Sequence, residues 1–104
     1  MMKPVIKAKW VAALRSGKYK QGTCQLRNNN DEYCCLGVLC DIISPEKWEY
    51  DGIRYRMEGH QVDLPSSILK NVSSGELLTD RLTYMNDIVR MSFDEIADYI
   101  EGRL

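Results

Sequence analysis

The sequence predicts an α+β fold in one compact domain, with four to five short helices packed on one or two small antiparallel β-hairpins. Its 104 residues suffice for one modest hydrophobic core, since a chain of this size buries roughly two-thirds of its unfolded surface. Some segments repeat apolar residues at helical spacing, whereas others alternate with the period of a strand and flank turn residues. We therefore expect residues 1–104 to form a single domain.

Two helices are expected in the first half of the chain. The first should cover about residues 4–16, because Pro4 suits a first helical turn and Gly17 follows the last apolar residue of the repeat. The second is a short buried helix over Cys35–Ile43, which is almost wholly apolar and is closed by Pro45. The length of this run also permits a strand.

Three further helices are expected toward the C-terminus. One opens at residues 64–67 and continues to about residue 72, where Ser73–Gly75 break it. The next covers Thr79–Ile88. The last begins after Ser92, because Ser92 and Glu95 have the spacing of a capping box ahead of an apolar helical face.

Two hairpins are expected between the helices. Cys24–Arg27 alternates like a strand, Asn28–Asp31 is a strong turn signal, and Glu32–Cys34 could form the returning strand. Asp51-Gly52 is the strongest short hairpin signal in the chain, and strand-like residues flank it on both sides within 48–57.

Charge is unevenly distributed along the chain. The net charge is −1, but residues 1–30 hold seven Lys or Arg and no acid, whereas residues 31–104 hold seven Lys or Arg and all fifteen acids. The two parts therefore carry +7 and −8. Because the acidic remainder would repel a long polyanion, the pattern favours a small anionic ligand over long nucleic acid.

The basic segment of residues 15–22 is the first candidate site. Its glycines, Gly17 and Gly22, allow the backbone to approach a ligand and to expose N–H groups. Basic side chains can hold phosphates, a tyrosine ring can stack on a base, and a glutamine amide can donate hydrogen bonds. The candidate ligand-binding residues in this segment and just after it are Arg15, Lys18, Tyr19, Lys20, Gln21 and Arg27.

One alternative for this segment stays open, namely a solvated basic loop. The segment follows the C-terminal end of a predicted helix, whose partial negative charge repels phosphate and attracts basic side chains. The segment is not a Walker loop either, because Gly22 is followed by Thr23-Cys24 rather than by Lys and Ser or Thr.

Asn86 and Asp87 are the second candidate site. Asn86 could read a base or ribose, and Asp87 could bond a hydroxyl group. The alternative is structural, because both residue types disfavour helix interiors and favour helix ends and caps. Asp41 also has two interpretations: a structural role as a cap or a paired carboxylate comes first, and a role as a ligand-binding group comes second.

Metal binding, disulfides and catalysis find little support in the sequence. The four cysteines, at 24, 34, 35 and 40, contain no C-x-x-C spacing and are expected to be reduced and mostly buried. A Cys–His enzyme would need His60, which lies in a predicted turn. We expect no cofactor, no catalytic residue, no membrane span and, without a secretory signal, a cytoplasmic location.

Three segments resemble a small family of bacteriophage and prophage proteins. They are WxxALRSGKYKQG from Trp10, YCCLGVLCD from Tyr33, and LxxMND from Leu82 with FxxIADxIE from Phe93. The resemblance covers about half of the chain, leaves residues 44–74 unaligned, and implies a cytosolic, phage-associated accessory role. Small proteins of that origin often counter host defence by sequestering nucleotide signals or by covering a host protein. The resemblance implies no catalytic residue.

These observations yield three hypotheses. The first is a non-enzymatic protein that captures a small phosphorylated, nucleotide-derived defence signal, with its pocket at a homo-oligomer interface. The second is an inhibitor that docks its basic face on an acidic surface of a host protein. The third is a nucleotide-cleaving enzyme.

Overall fold

The computed structural model describes residues 3–70, 72 and 75–103, with no account of the side chains of 75–78 and 103. Within these residues, five helices and two small sheets form one compact α+β domain, which confirms the predicted fold class. The helices are α1 (Pro4–Arg15), α2 (Cys35–Ile43), α3 (Ser66–Leu69), α4 (Gly75–Tyr84) and α5 (Phe93–Arg103). The strands are β1 (Lys20–Gln21), β2 (Glu32–Tyr33), β3 (Trp48–Tyr50) and β4 (Tyr55–Met57).

The first sheet differs from the predicted hairpin. β1 and β2 pair in parallel, with Gln21 opposite Tyr33, and the expected strand over Cys24–Arg27 is wrong. Its residues bend instead, since Leu26 is fully buried and its backbone N–H donates to the carbonyl of Gln61 at 2.9 Å. Burial of Leu26 thus draws this segment away from β2, with which only Arg27 retains an isolated bridge, to Tyr33.

The second sheet is the predicted hairpin. β3 and β4 pair antiparallel, and Gly52 adopts a φ of +93° in the connection between them. The carboxylate of Asp51 accepts hydrogen bonds from the backbone N–H groups of Ile53 and Arg54, both at 2.8 Å. These donors lower the pKa of Asp51, because they stabilise its charged form.

Helix α2 forms the centre of the core, and the strand alternative for this run is wrong. Residues 35–40 are all buried, and the helix packs against both α1 and α4. The fully buried indole of Trp10 in α1 donates from Nε1 to the carbonyl of Cys35 at 2.9 Å. This bond satisfies the only polar atom of the Trp10 side chain inside the core.

The C-terminal third departs from the predicted boundaries. Ser73–Gly75 were predicted to break a helix. Ser73 and Ser74 lie outside the described residues, and Gly75 is the first residue of α4. The predicted helix over Thr79–Ile88 is α4 followed by a π-helical turn, Met85–Val89. The predicted capping box is confirmed: Ser92 Oγ accepts from the Glu95 N–H, and Glu95 Oε1 accepts from the Ser92 N–H.

Among the described residues, no helix has both the length and the apolar character needed to cross a bilayer.

The four thiols are free, and three of them are buried, as predicted for most of the cysteines. Burial raises the pKa of Cys34 to about 12 and also raises the pKa values of Cys35 and Cys40, because a thiolate is poorly solvated in the core. Cys24 is exposed.

We therefore expect a thiol-reactive dye to label the folded protein at one site. Cys24 should react within minutes at neutral pH, and the other three thiols should react only on unfolding. Mass spectrometry of the labelled protein counts the sites, and Cys24→Ser should abolish the fast reaction. Fast labelling of a second thiol would contradict the burial of the motif cysteines.

Candidate functional site

A cleft of about 250 Å³ lies between the C-terminal end of α1, the following basic loop and the first turn of α5. The cleft brings together three of the residues predicted to bind a ligand: Arg15, Tyr19 and Gln21. Its lining residues are Leu14, Arg15, Gly17, Tyr19, Gln21, Phe93 and Asp94.

Arg15 supplies the positive charge of the cleft. Its guanidinium donates to Asp98 at 2.6 Å and lies 3.8 Å from Glu101, both in α5. The hydrogen bond to Asp98 is the main cause that raises the pKa of Arg15. Because all three side chains are exposed, the ion pairs can exchange with solvent or a ligand at little cost.

A hydrogen bond to Asp41 holds Tyr19 in place at the cleft. Its hydroxyl donates to Asp41 Oδ2 at 2.6 Å, and its ring meets Tyr33 edge-on with centroids 5.0 Å apart. Burial, with the Asp41 carboxylate second, raises the pKa of Tyr19 and keeps the phenol protonated. Asp41 also accepts from Trp48 Nε1 at 2.9 Å, so this carboxylate is paired within the fold, as its first interpretation stated.

Gln21 is positioned by Asn86. The Gln21 amide donates to Asn86 Oδ1 at 3.0 Å and to the Met91 carbonyl at 2.7 Å. Asn86 is completely buried, and its Nδ2 donates to the Gly22 carbonyl at 2.9 Å and to the Asp87 carboxylate at 2.7 Å. Asn86 is therefore enclosed by protein, and it can influence a ligand through the groups that it bonds, which include Gln21, Asp87 and the backbone of Gly22.

Three further predicted ligand residues, Lys18, Lys20 and Asp87, do not line the cleft. Lys18 is exposed at the edge of the basic loop, and Lys20 lies 3.5 Å from the Glu32 carboxylate. Asp87 is half-buried beside Asn86. Lys18 and Lys20 each lie between two cleft-lining residues along the chain, whereas Asp87 does not.

Arg27 lies apart from the residues that line the cleft. Its guanidinium carbon lies 3.8 Å from the ring centroid of Tyr55, 5.4 Å from that of Tyr33 and 5.6 Å from that of Trp48. Its Nε and Nη2 both donate to Asp31. Three aromatic rings and one carboxylate thus surround Arg27, which fastens the β2 segment to the β3–β4 hairpin.

The tertiary structure partly cancels the charge asymmetry of the sequence. Arg15, Lys20 and Arg27 from the basic first thirty residues each pair with an acid of the remainder. Four other cations of this segment make no ion pair with any described side chain. They are Lys3, Lys7, Lys9 and Lys18.

The YCCLGVLCD segment is explained by packing rather than by chemistry. A Cβ atom on Gly37 would lie 1.7 Å from the carbonyl oxygen of Leu26, so the two backbones touch at a point where no side chain fits. Cys34 caps α2, with its Sγ accepting from the Gly37 N–H at 3.4 Å, and the Cys35 thiol donates to the Leu82 carbonyl at 3.7 Å. Sequence reasoning missed the role of Gly37, for which a glycine inside a helical apolar run was the available signal.

Within the described part of the chain, no three His, Cys, Asp or Glu side chains lie close enough together to hold a metal ion. His60 Nδ1 lies 3.0 Å from Asp63 Oδ1 in the turn after β4.

These features define a small α+β domain in which a cysteine-rich helix fills the core and a basic loop borders a polar cleft. The chain belongs to the family DUF8296, described as a domain of unknown function, whose sequence profile matches residues 2–104. No curated protein and no solved structure matches the chain significantly. The family match spans nearly the whole domain and names no ligand, partner or reaction.

Proposed function

We propose that this protein captures a small phosphorylated, nucleotide-derived ligand and holds it unchanged, as a phage-type accessory protein that removes a defence signal from the host cytosol. The observation that carries the proposal is the cleft itself, which Arg15, Tyr19 and Gln21 line together. A cation, an aromatic face and an amide are the groups that recognise a phosphate and a base. Neither a catalytic residue nor a cofactor is part of this function.

The N-terminal end of α5 partly compensates for the partial negative charge at the C-terminal end of α1. The C-terminal end of α1 presents a partial negative charge to the basic loop, but Phe93 and Asp94 place the N-terminal end of α5 in the same cleft. The N-terminal pole of a helix favours an anion. Asp94 opposes this effect, so the basic side chains must supply most of the attraction.

Arg15 can turn from Asp98 toward a phosphate. The pair is exposed, and a bidentate bond to a dianionic phosphate replaces one exposed carboxylate partner with a more highly charged one. Lys18 adds a second cation with no competing acid among the described side chains. Arg27 is enclosed by aromatic rings and Asp31, which leaves Arg15, Lys18 and the exposed Lys20, whose ion pair with Glu32 is long at 3.5 Å, as the phosphate ligands.

The small volume of the cleft indicates that two copies of the chain would together enclose a nucleotide. At about 250 Å³, the cleft is smaller than the ~300–1,000 Å³ that ligand pockets usually occupy. One chain therefore holds the phosphate end of a nucleotide and leaves the rest at the surface. A second copy of the chain would provide the missing wall, in keeping with the homo-oligomer expected from the sequence.

The proposal is tested by a thermal-shift panel of cyclic nucleotides and ADP-ribose derivatives. A bound ligand should raise Tm progressively with its concentration, because ligand that binds only the native state stabilises it by mass action. Lys18→Glu should weaken binding about tenfold or more, since one charge-assisted contact becomes repulsive. Lys70→Glu makes the same charge change at an exposed position that does not line the cleft, and it should leave affinity unchanged.

Two outcomes would contradict the proposal. If no compound in the panel raised Tm, the protein would not bind a ligand of this class. If Lys18→Glu and Lys70→Glu changed the affinity equally, the basic loop would not be the binding site. Chemical analysis of ligand released by heat separates capture from cleavage: the proposal requires the intact molecule, whereas a product would support the nucleotide-cleaving alternative.

The second candidate function is docking on an acidic surface of a host protein. Lys3, Lys9 and Lys18 favour it, because they are exposed, make no ion pair with a described side chain and can attract an acidic partner. A flat nucleotide panel together with a salt-sensitive complex, lost in the Lys3→Glu, Lys9→Glu double variant, would support docking. An unchanged complex in that variant would count against it.

A further inference from the structure

Helix α1 carries an apolar groove beside α5, at the border between the buried and exposed faces of the helix. Trp10 and Leu14 turn inward, and the groove, of about 420 Å³, runs along the neighbouring edge, where buried Val11 meets the exposed surface. The lining residues are Pro4, Lys7, Ala8, Val11, Ala12, Arg15 and Glu101. Most of the floor is apolar, and the charged side chains form the rim.

Small residues make this face suitable for close helix packing. Ala8 and Ala12 are exposed and lie one turn apart, so no long side chain separates an incoming helix from the α1 backbone. Val5, which is 65% exposed, adds apolar surface next to the groove on the same helix.

The two ends of the groove carry opposite charge: Lys7 is a lone cation at one end, whereas Arg15, its partner Asp98 and Glu101 together carry −1 at the other. Lys7 lies toward the N-terminal end of α1, and Glu101 meets Arg15 at the C-terminal end, with Arg15 about 12 Å from Lys7 along the helix axis. Lys7 has no ion pair with a described side chain, and Glu101 has only a long one, at 3.8 Å. A two-fold axis through the middle of the groove, with the two α1 helices antiparallel, places the Lys7 end of each copy on the Glu101 end of the other.

We propose that the occupant of this groove is a second copy of the chain, packed through α1 about a two-fold axis. In such an isologous interface each favourable contact occurs twice, so the pairing of Lys7 with Glu101 of the second copy is made at both ends. The apolar floor supplies the buried area between them, and the opposite charges set the antiparallel orientation.

The interface also touches the proposed ligand site, because Arg15 lines both the groove and the cleft. When Lys7 of the second copy takes Glu101, Arg15 loses one of its two carboxylate neighbours and becomes more available to a phosphate. This consequence rests on the proposed function, whereas the dimer does not.

Sedimentation velocity from about 1 μM to about 1 mM protein tests the interface, since this range covers weak and moderate dimers. Wild type should shift from monomer to dimer with concentration. Lys7→Glu and Glu101→Lys should each weaken the dimer at least tenfold, because each places like charges together at both ends of the groove. Lys9→Glu makes the same change as Lys7→Glu on the same helix but outside the groove, and it should dimerise like wild type.

Mixing the two weakened variants gives the decisive result. In a dimer of one Lys7→Glu chain and one Glu101→Lys chain, an acid faces a base at both ends, so an equimolar mixture should dimerise as wild type does, whereas each variant alone dimerises at least tenfold more weakly. A wild-type monomer at every concentration, or a mixture that stays monomeric, would overturn the proposed interface. The thermal-shift panel reports on the cleft separately, so a failed dimer and a failed ligand site remain distinguishable.

Discussion

Gly37→Ala is expected to destabilise this domain strongly. The added methyl group would lie 1.7 Å from the Leu26 carbonyl oxygen and 2.6 Å from its carbonyl carbon, and both are backbone atoms that no rotamer change can move. Helix α2 or the Leu26 segment must shift, although both are buried at the centre of the core. We expect a loss of at least about 3 kcal/mol in the free energy of unfolding.

Urea denaturation followed by circular dichroism measures this loss, and Gly102→Ala is the matched control. Gly102 also lies in a helix, α5, but a Cβ there meets no atom of the described residues within 4 Å. Alanine should therefore leave stability unchanged or raise it by up to about 1 kcal/mol through helix propensity. Equal urea midpoints for wild type and Gly37→Ala would show that the close approach of α2 to Leu26 is wrong.

Asn86→Ala is expected to cost about 2–4 kcal/mol, more than a surface asparagine could. The buried amide accepts from the Cys35 N–H at 3.3 Å and donates to the Gly22 carbonyl, so its loss leaves a donor at the start of α2 and an acceptor after β1 unpaired. Each such buried group costs about 1–3 kcal/mol without a partner. The substitution also frees Gln21, which should weaken any ligand that the cleft binds.

Asn29→Ala is the control for this substitution, because Asn29 is exposed in the turn before β2. Its effect should stay within about 0.5 kcal/mol. Both variants are compared by the same urea titration, and affinity is compared at a temperature where both remain folded. If Asn86→Ala were as stable as Asn29→Ala, the buried network that joins the loop, α2 and the π-helical turn would not hold this part of the fold together.

Local sequence patterns correctly predicted the helices and strands whose stabilising interactions join residues close together in the sequence. Pro4 and the apolar spacing located α1, the apolar run located α2, and Asp51-Gly52 located the β3–β4 hairpin. The capping box at Ser92 was equally readable, because both of its hydrogen bonds lie within four residues. In each case the interaction that forms the element is short in sequence.

The parallel pairing of β1 with β2 could not be predicted from local sequence patterns. A hairpin was the simpler interpretation of Cys24–Arg27 and its turn, but the burial of Leu26 against Gly37 and its bond to Gln61 decide that region. These contacts join residues that are distant along the chain, and no local period encodes them. The π-helical turn at Met85–Val89 likewise accompanies the burial of Asn86.

For the candidate site, the sequence by itself determined which chemistry is present: a basic loop with a tyrosine and a glutamine, and an Asn-Asp pair far along the chain. Only the tertiary structure decided how these side chains are used. It placed Arg15, Tyr19 and Gln21 around one cleft, buried Asn86 behind Gln21, and enclosed Arg27 among aromatic rings. Composition fixes which charges a chain carries, but which of them face solvent depends on packing between distant segments.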